Sequence, residues 1–208
     1  VLRRFTLHYN EKDEKAVLDF SRAAEAGLPR LETLELDTGD ENSFYRKLRG
    51  RVWRLPALTE LDFHSISLSD MPRIETRQLR QLEVSWTEAD LPRMMEAFPV
   101  LEELHAYADE KGKSRKSVAN AIRAAASRGK TQWPATLRKL SSFMLRVSPE
   151  AAAAIADTCK ALTELDLTLK AERCHPSLTR YLLQQLPQLI ALKLLAEADD
   201  DEKKARPG

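Results

Sequence analysis

His8, Asp37 and His64 are the residues whose types could do chemistry together. They stand 29 and 27 residues apart, and each directly follows a hexamer of one pattern: LRRFTL, LETLEL and LTELDF. If those hexamers are neighbouring strands, the three side chains share one column. Two imidazoles flanking a carboxylate could hold zinc, or the carboxylate could orient an imidazole as a general base. Either use requires convergence, because zinc ligands sit about 2.0–2.2 Å from the metal. Two strand spacings separate the histidine backbones by about 9–10 Å, which suits an exposed hydrogen-bonding column better than a metal site. The expectation is therefore no metal, no cofactor and no catalytic residue. An enzyme, or a regulatory metal-binding domain using this His/Asp cluster, stands as the alternative.

The remaining chemistry-bearing residues point the same way. Cys174 precedes His175 and Pro176, but a Cys-His dipeptide is no catalytic pair, since partners meet in space rather than in sequence. Cys159 occupies the slot that Pro fills in related segments and reads as buried packing. No nucleophile elbow, phosphate loop, zinc-protease helix, dinucleotide fingerprint or calcium loop occurs. Six glycines leave little room for a phosphate cradle. The 208 residues are 43% hydrophobic and 31% charged with a net charge of +1, a globular balance with no overall pull toward nucleic acid or anionic lipid. No apolar run approaches the roughly 18 residues of a membrane span. The first residues, VLRRFTLHYNEKDEK, turn polar at once and do not form a signal peptide, and the chain reads as a fragment of a longer protein. Two cysteines without disulfide or zinc spacing suggest two reduced thiols in a cytoplasmic-type protein, not an extracellular disulfide-capped type.

The elements that must position these residues are repeats. The hexamer recurs as LRRFTL (2–7), LETLEL (31–36), LTELDF (58–63), LRQLEV (79–84), LEELHA (101–106), LRKLSS (137–142), LTELDL (162–167) and LIALKL (189–194). Successive first leucines are 29, 27, 21, 22, 36, 25 and 27 residues apart. Many copies follow a short signal: GLPRL, LPAL, FPVL, CKAL or LPQL. In LTELDF, Leu61 and Phe63 alternate along a short strand and point inward, and Leu58 packs from the preceding turn. Glu60, Asp62 and His64 point the other way. One such unit cannot bury its own apolar side, so the copies must stack.

This pattern resembles the leucine-rich repeat over nearly the whole chain, with irregular spacing similar to the ribonuclease-inhibitor and F-box-associated subtypes. The asparagine that usually follows the strand is mostly absent. The resemblance implies an α/β leucine-rich-repeat solenoid of about eight irregular repeats, with a curved parallel β-sheet and convex helices. It would span residues 1–195, with a basic helical insertion at 109–130 and a disordered charged tail at 196–208. Helices are expected at 14–27, 87–98, 148–161 and 177–186, with a weaker one at 43–53 and one near 115–127. Thr87 and Asp90 suggest a capping box, with Pro92 delaying the start of that helix. The turn around Met71 and Pro72 is expected to be short and irregular.

The resemblance implies protein–protein recognition as the usual role of such a fold. It also suggests the substrate-recognition part of a ubiquitin-ligase subunit or of a bacterial effector, the latter delivered into a host cytosol. The residues expected on the concave, partner-binding face include Glu35, Asp37, Glu60, Asp62, His64, Glu83, Glu103, His105, Tyr107 and Asp166. Eight acidic residues stand there against Arg4, Lys139 and Lys193, so the partner is expected to be a protein, and a basic one. A solvated polar face would account for the same charges. Lys113, Arg115, Lys116 and Arg123 form a candidate basic contact for phosphate or an acidic partner. The one aromatic nearby, Trp133, makes no platform for stacking bases. No small-molecule substrate and no membrane insertion are expected.

Overall fold

A computed structural model of the chain describes residues 2–8, 14–37, 47–68, 71–85, 90–107, 122–124, 132–170 and 176–197. All eight hexamers supply strands of one sheet: β1 (Arg4–His8), β2 (Thr33–Asp37), β4 (Glu60–Ser67), β6 (Gln81–Ser85), β7 (Glu103–Tyr107), β8 (Lys139–Val147), β9 (Glu164–Lys170) and β10 (Ala191–Glu197). Every pairing is parallel, and the strands neighbour one another in chain order. The fold is thus α/β with a mostly parallel sheet that does not close into a barrel. β10 includes Ala196 and Glu197, which the sequence reading assigned to the tail; residues 198–208 lie outside the described residues.

The register follows the leucines. Phe5, Leu34, Leu61, Leu82, Leu104, Leu140, Leu165 and Leu192 stand side by side across the sheet. From Leu34 to Leu165 this row is buried, as are the first leucines of the hexamers from Leu31 to Leu162. The weaker copies LEELHA and LRKLSS keep the register because Leu104 and Leu140 hold it.

Backbone polarity is satisfied by one repeated device. The carbonyl oxygen of Arg3 accepts from the amides of both Glu32 and Thr33, at 2.7 and 3.1 Å. Glu32, Thr59, Arg80, Glu102, Arg138 and Thr163 do the same for the next strand in turn. A second device sits just before five of the strands. The amides of Leu31, Leu58, Leu101, Leu162 and Leu189 donate to the carbonyls of Leu28, Leu55, Phe98, Cys159 and Leu186. Pro29, Pro56, Pro99 and Pro187 occupy the second position of four of these turns, where a fixed φ and a missing donor cost nothing. Cys159 therefore does not stand in the proline slot. It aligns with Leu55 and Phe98, and Lys160 takes the place of proline.

The expected helices form with shifted ends. α1 (Glu14–Ala26) buries Val17, Phe20, Ser21 and Ala24 on one face and stops at Gly27, whose φ of +109° suits a residue without Cβ. α2 (Leu91–Ala97) starts late because of Pro92; its N-cap Asp90 makes no capping bond, and Thr87 lies outside the described residues. α3 is the short Trp133–Thr136 segment. α4 (Pro149–Thr158) is capped by Ser148, whose hydroxyl accepts from the Ala151 amide at 3.2 Å. α5 is Pro176–Gln185. Of the helix expected near 115–127, residues 122–124 are described and helical, and the rest lies outside.

The weak helix at 43–53 is not found where it can be checked. Residues 47–50 form a turn, and Val52–Arg54 is a strand, β3, paired in parallel with β5 (Arg73–Glu75) just after Pro72. Tertiary packing overrides local preference here. Trp53 is fully buried, its indole N–H donates to Ser21 Oγ at 2.9 Å, and its ring meets Phe20 and Phe63 edge-on. Phe20 in turn stacks on Phe5 at 4.3 Å, which ties β1, α1, β3 and β4 into one aromatic cluster.

If the buried leucine row carries the fold, Leu82→Ala will lower unfolding free energy by about 2–5 kcal/mol. Leu195→Ala, at 43% exposure, will cost roughly 0.5 kcal/mol or less. Denaturant titration measures both.

Candidate functional site

On a strand whose alternate residues are buried, the others must face away from the core. Three columns result. One carries Arg4, Thr33, Glu60, Gln81, Glu103, Lys139, Glu164 and Ala191. The next carries Thr6, Glu35, Asp62, Glu83, His105, Ser141, Asp166 and Lys193. The third begins His8, Asp37, His64, as the hexamer spacing predicts. It is then interrupted, because the pairing slips between Phe63 and Ser67, so that Ser67 rather than His64 is partnered with Ser85. A matching slip follows Ser142 in β8.

The acidic residues of this face fall into two environments. Strands β2, β4 and β6 carry Glu35, Asp37, Glu60, Asp62 and Glu83 and no lysine or arginine. Glu35 accepts from Thr6 Oγ1, and Glu60 from Thr33 Oγ1, both at 3.2 Å. These bonds orient the carboxylates without neutralising them. Glu83 stands in register between Asp62 and His105. Like charges opposite one another on adjacent strands repel, and Glu35, Asp62 and Glu83 stand side by side in one column.

The other half supplies its own cations. Lys139 Nζ lies 3.4 Å from Glu103 and 3.7 Å from Glu164, and His105 Nε2 lies 3.5 Å from the second oxygen of Glu103. Lys193 pairs with Asp166 at 3.0 Å. Of the residues expected to bind a partner, Glu103, His105 and Asp166 are thus engaged within the chain. Tyr107 follows in register with Ser85. Of the basic candidates, Arg123 is bound to Asp157, while Lys113, Arg115 and Lys116 lie outside the described residues, as do Cys174 and His175.

Among the described residues no three His, Cys, Asp or Glu groups converge as a metal site. Asp37 sits between His8 and His64 in backbone register, two strand spacings apart. Trp53 and Trp133 are buried, and the Trp133 indole donates to the Phe98 carbonyl at 2.7 Å. Trp86 lies outside the described residues.

One polar cluster has no signal in the sequence. Asp157 on α4 accepts from the Tyr181 hydroxyl on α5 and from Arg123, whose Nη2 lies 2.9 Å away. Partial burial pushes the Asp157 carboxyl upward, but the bonds from Tyr181 and Arg123 outweigh it and leave the pKa below its ordinary value. The hydrogen bond to Asp157 holds the Tyr181 phenol above its own ordinary value. These bonds tie α4 to α5 and to the 122–124 segment. Burial pushes the neighbouring Cys159 thiol up to about 12, so it stays protonated at neutral pH.

No protein-family model matches the chain, and no curated protein matches it in sequence.

Two outcomes follow from these environments. Because the folded pKa of Asp157 is depressed, its contribution is present above the ordinary carboxyl pKa and is lost as pH falls through the folded value. Asp157→Asn will therefore cost about 1–2 kcal/mol at neutral pH, and the difference from the native chain will narrow below about pH 4; thermal unfolding across pH checks it. Cys159 will resist iodoacetamide in the folded chain and alkylate once denaturant unfolds it, as peptide mass mapping will record.

Proposed function

We propose that the chain is an irregular leucine-rich-repeat solenoid that recognises a basic segment of another protein on its strand-lined face and has no enzymatic role. Eight sequential parallel strands with in-register leucines support the architecture. The observation that carries the function is the placement of five acidic and no basic residues on β2, β4 and β6. A partner's lysines and arginines would complement the charge of these strands. The β7–β10 half has internal counter-ions, so it offers such a partner less. The more specific role of substrate-recognition part in a ubiquitin ligase or a bacterial effector rests on the resemblance of the repeats alone.

A fluorescein-labelled oligolysine peptide is the probe, followed by anisotropy at about 50 mM salt, where surface charges are weakly screened. Binding is expected to weaken steeply with added salt. The triple variant Glu35→Lys, Asp62→Lys, Glu83→Lys is expected to abolish it while keeping a cooperative unfolding transition. Unchanged affinity of a folded triple variant would overturn the reading, and so would equal affinity for oligoglutamate.

A further inference from the structure

Away from that face, the chain forms a cleft of about 1400 Å³ between β5 and α2. Its apolar wall is the partly exposed Leu68, Met71 and Pro99, backed by the buried Ile74, Met94 and Phe98. Four arginines, Arg49, Arg73, Arg77 and Arg93, line it against two glutamates, Glu75 and Glu96. Glu75 is shared by Arg54 at 3.8 Å and Arg73 at 3.9 Å. Arg49, Arg77 and Arg93 are exposed and have no ion-pair partner among the described residues.

The backbone of the cleft wall adds a second feature. Among the described residues the sheet formed by β3 and β5 has two strands, so there β5 has a partner on one side only. Arg73 N donates to Arg51 O at 2.9 Å, and Glu75 O accepts from Leu55 N at 3.3 Å. In a parallel pair the residue between two such bonded residues turns its N–H and C=O to the opposite side. The Ile74 amide and carbonyl therefore face away from β3, toward the cleft that Ile74 lines. An open strand edge, an apolar wall and unneutralised arginines are together what an extended acidic peptide needs. Main-chain bonds would hold it, apolar side chains would fill the wall, and carboxylates would meet the guanidinium groups.

We propose that the β5–α2 cleft is a second recognition site, which takes an extended peptide of alternating acidic and apolar residues as a third strand on β5. The site is independent of the acidic face and has the opposite charge preference. With both in place, one chain joins a basic segment on one surface to an acidic one on another.

The test uses a labelled eight-residue peptide alternating glutamate and valine, with a lysine–valine peptide as control. Saturable binding of the first and none of the second is expected. The double variant Arg77→Glu, Arg93→Glu is expected to weaken it about tenfold or more. Methylating alternate backbone nitrogens of the peptide is expected to abolish binding, since it removes the main-chain donors. The triple variant of the acidic face is expected to bind the glutamate–valine peptide normally, which separates failure of this site from failure of the other. Absence of binding, equal binding of the lysine–valine peptide, or no effect of the double variant would each overturn the proposal. Full affinity of the methylated peptide would overturn strand addition. Stronger binding of a short oligonucleotide than of the peptide would assign the arginines to phosphate and overturn it as well.

Discussion

Each strand of the main sheet is tied to the next by one carbonyl that takes two successive amide protons. From Arg3 to Thr163 this arrangement recurs at every step. It fixes the point at which each strand begins, and a strand that begins in the right place cannot slip by one residue. Such a slip would turn Leu34, Leu61 and Leu82 out to water and bring Glu35, Asp62 and Glu83 into the core. The outward columns are thus a by-product of the same constraint that buries the leucines. Whatever the acidic face recognises, its spacing is set by backbone bonding and not by the side chains themselves.

The constraint also explains how the sequence tolerates variation. The turn before a strand has only to deliver a leucine amide to a carbonyl three residues earlier. Proline does this by pre-setting the backbone, as Pro56 does. Lys160 has no such advantage but reaches forward, bonding Gln185 O at 3.1 Å and its side-chain oxygen at 2.8 Å. Before β6 and β8, where that turn bond is not among those of the described residues, a threonine ties back to the preceding repeat instead. Thr76 Oγ1 donates to the Leu58 carbonyl at 3.0 Å and Thr136 Oγ1 to that of Leu101 at 2.9 Å. Three side-chain chemistries thus serve one junction.

What was legible in the sequence is what repeats. The eight strands, their order and the columns of outward residues come from a hexamer whose period the backbone enforces. The helix faces of α1 and α4 were legible because their apolar spacing and end signals agree. What was not legible depends on a single tertiary contact. β3 and β5 are three residues each, too short for any period, and exist because Trp53 is buried against Phe20 and Phe63. The slot of Cys159 was misread because CKAL lacks the proline that anchors the alignment. The slips in β4 and β8 add backbone without any pattern of their own. The lysine pairing on the β7–β10 half of the acidic face depends on where Lys139 and Lys193 reach, which composition does not reveal.

Bonding that passes only between neighbours gives the outermost strands one partner where the inner ones have two. Their side chains record the difference: in the leucine row Phe5 and Leu192 are partly exposed, while Leu61 and Leu82 are sealed. Thermal energy will therefore act on the assembly as on a stack of plates held face to face, loosening it from the ends inward. Among the described strands, the carboxylate-rich β2, β4 and β6 each have a neighbour on both sides, so their outward spacing is held from two directions.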